Sequence, residues 1–330
     1  MPTARGYVRS VARVAVLDDY QRAAAVMADW SSLPRGTDVE FFHDHVADVD
    51  DLAARLAPFD VVVAMRERTA FGRDLLERLP GLRLLVTTGP FNAAIDVRAA
   101  ATRGVLVCGT GGTIAPTAEL TWGLILAALR HIPTEDAAIR AGAWQRTVGS
   151  SVRGRTLAVL GLGRLGALVA RVGDAFGMDV IAWSQNLTDE RCAQVRGVTR
   201  VDKDELFARA DVLSIHLVLS DRTRGLVGAR ELAMMRPSAL LVNTSRGPIV
   251  DERALIDALR DGTIATAALD VFDEEPLPPD HPLRTMVNVV LTPHLGYVTD
   301  DTYRIFYGDA VEDIAAFLAG SPIRVIEAAP

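Results

Sequence analysis

Short runs of β-branched and apolar residues recur along this chain, each followed by a stretch whose apolar positions repeat at helical spacing. The alternation holds from Val11 to Ala268 and predicts a parallel α/β architecture with crossover helices. Two blocks are visible. Candidate strands of the first are Val11–Leu17, Val39–Phe42, Asp60–Ala64, Leu82–Thr87 and Val105–Cys108. Those of the second are Thr156–Leu160, Asp179–Trp183, Val212–Leu217, Leu240–Asn243, Ile264–Leu269 and Val289–Leu291.

Between the blocks, Thr117 to Arg140 places Leu120, Leu124, Ala127 and Ala128 on one face, which predicts a long connecting helix. Pro116 suits its beginning, and Pro133 interrupts or restarts it. The chain then passes Trp144 and Gly149-Ser150-Ser151, read as an arm that packs on a second subunit. A last helix is predicted from Asp300 to Leu318, where Tyr303, Phe306, Tyr307, Ala310, Ile314 and Phe317 are apolar. It carries the chain back to the first domain, so the expected division is 1–116 with 299–330 for one domain and 117–298 for the other.

The composition narrows the class. With 330 residues, 49% hydrophobic and 23% charged, the chain has enough apolar material for two packed domains. A net charge of -7 argues against a general affinity for nucleic acid or anionic membrane. Cys108 and Cys192 are too few for a disulfide framework, which points to a reducing cytoplasm and two buried small side chains. Met1–Ser10 carries Arg5 and Arg9 without an apolar stretch behind them, and no run approaches membrane-spanning length, so neither export nor a membrane span is expected.

The chemistry lies in the second block. Thr156–Leu160 leads into Gly161-Leu162-Gly163-Arg164-Leu165-Gly166 and then into a helical stretch, the strand–turn–helix setting of a dinucleotide fingerprint. Gly161 permits the tight turn, Gly163 lets the backbone approach a pyrophosphate, and Gly166 allows close packing of helix on strand. Arg164 and Leu165 stand where the helix opens toward the phosphates, with Arg164 either contacting phosphate or simply solvated. About twenty residues on, where an acid would read the ribose, the chain has Trp183-Ser184-Gln185-Asn186. Ser184 neither repels a 2′-phosphate nor is joined by an arginine to attract one, so NAD and NADP both remain open.

Three further motifs supply an arginine, a carboxylate and a histidine: Asn243-Thr244-Ser245-Arg246-Gly247, Asp270-Val271-Phe272 running to Glu275-Pro276, and Thr292-Pro293-His294-Leu295-Gly296. The fork of Arg246 suits a carboxylate and the keto oxygen beside it. His294 suits a proton donor, and Glu275 beside it would orient the ring and favour its charged form. With a hydride-carrying cofactor, these groups suffice to interconvert a 2-oxo and a 2-hydroxy acid.

On these motifs the chain resembles the D-isomer-specific 2-hydroxyacid dehydrogenase family over almost its whole length. The resemblance implies that Arg246, Glu275 and His294 are catalytic, that Asp270 holds the nicotinamide carboxamide, and that Thr244 and His216 lie along the cofactor. It also implies two Rossmann-like, doubly wound parallel-sheet domains with the active site in the cleft between them, and a homodimer formed through the cofactor domain. The loop Thr88-Gly89-Pro90-Phe91-Asn92 departs from the family pattern: Pro90 offers no N–H and Phe91 stands where glycine is common. Gly89 and Arg66 are the substrate-binding candidates there, with a surface pairing of Arg66 as the alternative. Tyr297 and Trp144 either cover the pocket or belong to the core. No metal-ligand set is assigned.

The expectation is therefore an NAD(P)-dependent D-2-hydroxyacid dehydrogenase acting on a small 2-oxo or 2-hydroxy acid. The alternative is an NAD(H)-sensing, corepressor-like binding protein on the same fold, against which the acidic charge and the lack of long disordered tails argue. Formate dehydrogenases of similar architecture are disfavoured because Glu275 is present.

Overall fold

The computed structural model describes residues 12–328; the Met1–Ser10 reading and the first residue of the expected opening strand lie outside them. The chain divides into two compact units, one reaching to Thr113 and resuming at Thr299, the other running Ile114–Val298.

The first unit holds β1 (Arg13–Val16), α1 (Ala24–Met27), β2 (Asp38–Phe41), α2 (Val49–Leu56), β3 (Val61–Ala64), α3 (Arg73–Glu77), β4 (Leu84–Thr87), α4 (Val97–Thr102) and β5 (Leu106–Gly109). Its five strands are all parallel, in the order β2-β1-β3-β4-β5. The interior strands β3 and β4 are buried at every position, the apolar signature of a strand covered on both faces. The order reverses between β1 and β3, the switch point where open α/β sheets present their loops to ligands.

The second unit holds α5 (Ala115–Leu129), α6 (Ile132–Arg140), β6 (Thr156–Leu160), α7 (Arg164–Ala175), β7 (Asp179–Trp183), α8 (Asp189–Ala193), β8 (Val198–Arg200), α9 (Lys203–Arg209), β9 (Val212–Ile215), α10 (Ala229–Met234), β10 (Leu240–Asn243), α11 (Glu252–Arg260), β11 (Thr266–Leu269) and β12 (Val289–Leu291). Its seven parallel strands run β12-β11-β10-β9-β6-β7-β8. Apolar side chains fill both faces, with Leu160, Phe207 and Leu241 in one cluster and Trp122, Leu157 and Val180 in the other. Helix α12 (Asp300–Leu318) then completes the first unit, packing on β4, and Ile326 N–H donates to the Val107 carbonyl of β5.

The fold is thus the double parallel-sheet α/β arrangement the pattern predicts. Two local details differ. The expected continuous helix over Thr117–Arg140 is two helices, because His131 turns into the left-handed region at φ 53° and Pro133 opens α6 rather than kinking α5. Strand β8 was not expected: it is a three-residue edge with no fully buried position.

Candidate active site

The glycine turn shows three different constraints. Gly161 adopts φ 106°, and a Cβ there would stand 2.5 Å from the carbonyl oxygen of His216. At Gly166 a Cβ would come within 2.1 Å of the Gly161 carbonyl oxygen, so this position joins helix to strand. Gly163 is the opposite case, with nothing within 4 Å of a Cβ. It caps α7 through backbone alone, with no side chain on the first N–H groups. Open space over uncapped donors at a helix start fits a dinucleotide pyrophosphate. Arg164 is exposed on that first turn, with half-buried Leu165 following.

Ser184 follows β7, half-buried, with exposed Gln185 and Asn186 after it. His216 follows β9; its Nε2 lies 2.8 Å from Ser214 Oγ and its Nδ1 is buried without a partner. Burial pushes this imidazole down to about 3, so it is neutral and carries no charge to the site. Thr244 is buried and its hydroxyl lies 2.8 Å from that of Thr121, which itself donates to the Thr117 carbonyl. This chain of hydroxyls ties the β10 end to α5.

Arg246 sits on the turn after β10. Asn243, almost wholly buried, shapes that turn: its Nδ2 donates to the Arg246 carbonyl at 3.0 Å and its Oδ1 accepts from Ser245 N–H at 3.0 Å. Gly247 lies against the next turn so closely that a Cβ would be 2.1 Å from the Phe272 carbonyl carbon. Arg246 and the Glu275 segment are thereby held in register.

Glu275 and His294 meet, with Glu275 Oε2 2.6 Å from His294 Nδ1. A carboxylate only accepts, so Nδ1 carries a proton and Nε2 is the nitrogen available for chemistry. The other Glu275 oxygen accepts from Phe272 N–H at 2.9 Å. Burial works to raise the Glu275 carboxyl, but the bond and charge of His294, the Phe272 N–H and the Arg246 charge hold it below the ordinary range. Its ionised form is the stable one.

Asp270, fully buried, lies beneath the histidine turn. It accepts from Thr292 Oγ at 2.6 Å, Leu295 N–H at 2.7 Å and Gly296 N–H at 2.9 Å. These bonds fix a turn in which His294 has φ 55°. Burial raises this carboxyl, against those three donors and the charge of His294. Tyr297 is buried with its ring 5.4 Å from that of His294, nearly edge-on. Trp144 is not a core residue; it is 74% exposed. Asn243 and Thr292 stood inside motifs singled out from the sequence yet received no role there, because their work is to bond turn backbone.

In the first unit, Arg66 follows β3 with φ 49°. Its Nη1 donates to the Thr88 carbonyl at 3.1 Å, its Nη2 lies 3.5 Å from Glu67, and it occupies the space a side chain at Gly89 would need. The two candidates therefore lie side by side, while Phe91 is 67% exposed.

Among the described residues no helix is long and apolar enough to cross a membrane, and both cysteines are buried thiols.

Residues 122–296 match the family description "D-isomer specific 2-hydroxyacid dehydrogenase, NAD binding domain". The chain is 44% identical to a glyoxylate reductase of Aeropyrum pernix over 257 residues, 75% of this chain and 76% of that protein. It is 38% identical to a D-3-phosphoglycerate dehydrogenase of Methanocaldococcus jannaschii over 82% of this chain, but spans only 52% of that longer relative. A crystal structure of a phosphoglycerate oxidoreductase from Vibrio cholerae superposes with a TM-score of 0.89 at 39% identity, covering 94% of this chain and all of that one.

The chain belongs to the D-isomer specific 2-hydroxyacid dehydrogenase family. The activity this supports is that of an NAD-dependent 2-hydroxyacid dehydrogenase.

Proposed function

We propose that the protein reversibly reduces a small 2-oxo acid to the D-2-hydroxy acid, with Arg246, Glu275 and His294 as its catalytic residues. The observation that carries this reading is the 2.6 Å contact of Glu275 with His294 Nδ1, which leaves Nε2 to deliver the proton. Bound NAD(H) supplies the hydride; Gly161, Gly163, Arg164, Leu165, Gly166 and Ser184 are the residues to hold it, with His216, Thr244 and Asp270 farther along. Arg246 grips the substrate carboxylate and polarises the carbonyl. His294 Nε2 gives its proton to the oxygen as it becomes an alkoxide, and Glu275 stabilises the imidazolium before that transfer. In the oxidative direction neutral His294 removes the hydroxyl proton.

Arg66 and Gly89 are proposed substrate contacts. The relatives suggest glyoxylate and phosphorylated hydroxy acids as starting substrates, and Ser184 leaves NADP as a second cofactor to test. A homodimer through the arm around Trp144 and a cytoplasmic setting are part of the same proposal. The family relationship favours the enzyme over a cofactor sensor.

Loss of NADH and of NADPH absorbance with a graded series of 2-oxo acids tests the activity. His294→Ala is expected to lower kcat by roughly 10²- to 10⁴-fold, with NADH affinity nearly unchanged. An unchanged rate removes the assigned proton donor.

A further inference from the structure

The segment after Glu275, Pro276 to His281, is rich in proline and forms no regular element before the 3-10 turn Pro282–Thr285, yet it must hold a carboxylate in place beside His294. Its anchors lie outside the catalytic trio. Glu252, the first residue of α11, accepts from His281 Nε2 at 2.9 Å through one oxygen and receives Asp273 N–H at 3.4 Å through the other. The histidine's tautomer follows from its second nitrogen: Nδ1 accepts from Leu283 N–H at 3.3 Å, so the proton of the neutral ring is on Nε2 and points at Glu252. Both side chains are largely shielded, at 16% and 21% exposure. One carboxylate therefore bridges the segment on either side of Glu275, two residues before it and six after.

The rest of the segment is pinned between those ends. Arg284 donates from Nε to the Pro278 carbonyl at 2.7 Å and from Nη2 to the Leu277 carbonyl, and Leu283 is buried. Charged neighbours of the bridge are Asp273, Asp251 and Arg224; burial, Glu252 and Asp251 push the Asp273 carboxyl up, against Arg224 and His281. Asp273 N–H is held by Glu252, and the preceding Phe272 N–H donates to Glu275, so a backbone displacement at Asp273 shifts the adjoining anchor of the catalytic carboxylate, which lies only two residues further along the chain.

We propose that Glu252 and His281 are positioning residues of this dehydrogenase: by clamping the segment at Asp273 and His281 they set where Glu275 meets His294. The inference rests on the assignment of Glu275 as the partner of a catalytic His294. Neither residue touches substrate or cofactor in this role.

The test compares kcat and the pH profile of 2-oxo acid reduction for E252A, E252Q, H281A and E275Q, using glyoxylate with NADH or whichever 2-oxo acid of the series turns over. Loss of the clamp lets Glu275 leave Nδ1, so less of the imidazolium persists as pH rises. E252A and H281A should each lower kcat by about 10-fold or more, since small misplacements cost up to about 10²-fold. They should also move the alkaline limb of the profile to lower pH, toward its position in E275Q, with KM for NADH little changed. E252Q keeps one oxygen, enough for His281 or for Asp273 but not for both, and should fall between the parent protein and E252A. In the E275Q background, E252A should not move the limb further.

If E252A and H281A only lower the melting temperature and leave the limb in place while E275Q moves it, the clamp is structural and the inference fails. It fails equally if H281A leaves kcat and the limb at their parental values. If E275Q itself leaves both kcat and the limb unmoved, the underlying assignment of Glu275 fails instead, whatever the clamp variants do.

Discussion

At Gly247 the demand on a single residue is severe. Its position leaves 2.2 Å between a hypothetical Cβ and the Phe272 carbonyl oxygen, and 2.6 Å to the Asp273 nitrogen. Backbone atoms cannot rotate away as a side chain would, so Gly247→Ala must separate the Arg246 turn from the Glu275 turn. We expect it to lower kcat by about 10- to 10²-fold and to cost roughly 1–3 kcal/mol of stability, read by steady-state kinetics and urea unfolding. Asp270→Asn makes a different demand. The carboxylate accepts from two N–H groups and a hydroxyl with both oxygens, whereas an amide has only one oxygen to offer. The unmatched N–H beneath the His294 turn should cost roughly 1–3 kcal/mol and reduce kcat; parental stability and rate in this variant would show that the turn is held by other means. The proposed trio of Arg246, Glu275 and His294 was legible in the sequence because arginine, glutamate and histidine carry their chemistry in their identity, and the structure brings Glu275 and His294 together. Asn243, Thr292, Glu252 and His281 were not, since their contribution depends on which backbone groups a turn brings within reach.

Among the elements, strands Thr156–Leu160, Asp179–Trp183, Leu240–Asn243 and Val289–Leu291 have the bounds the apolar runs predict, because a run of β-branched and aliphatic residues has few alternatives. Val198-Thr199-Arg200 has no such run, and only the partner strand β7 makes it a strand. Helix α12 brings a further property that pattern alone does not show. Asp309, Glu312 and Asp313 converge on Arg324, which donates from Nε to Asp313 Oδ1 at 2.9 Å. Asp313 is fully buried and its Oδ2 has no partner. Burial, offset in part by Arg324 and reinforced by Asp309 and Glu312, pushes this carboxyl up to about 7. In the unfolded chain it ionises near the ordinary value of ~3.9. Between those values the native state holds a proton that the unfolded state has released, so this group makes stability fall as pH rises across the window and adds no slope above it. Asp313→Asn removes the slope while keeping an oxygen for Arg324. The stability of the variant relative to the parent should therefore increase from about pH 4 to about pH 7, by up to about 4 kcal/mol. Melting curves that stay parallel over that range would contradict the assignment.

For the molecule as a whole, exposed apolar residues are scattered over both units, but Ile132, Ile139, Trp144 and Val148 lie close together in sequence on α6 and the arm that follows. Leu126, Ile132, Ile139 and Trp144 line a groove of about 660 Å³ on α5, α6 and the arm beyond them, and Val148 on the arm is 93% exposed. A patch of this kind is costly to leave in water, which suits it to the proposed subunit contact. Under the proposed homodimer, Trp144→Arg should shift the sedimentation coefficient toward that of a monomer; an unshifted dimer would place the interface elsewhere.

The return of α12 to the first unit has a consequence for biosynthesis. Gly111 N–H donates to Asp309 Oδ2 across 198 residues of sequence. While the ribosome makes the intervening unit, β4 and β5 wait without the helix and the Arg324–Ile326 segment that later cover them. A nascent chain paused before residue 299 should be the form most strongly retained by holdase chaperones, and release should coincide with emergence of the last helix from the exit tunnel.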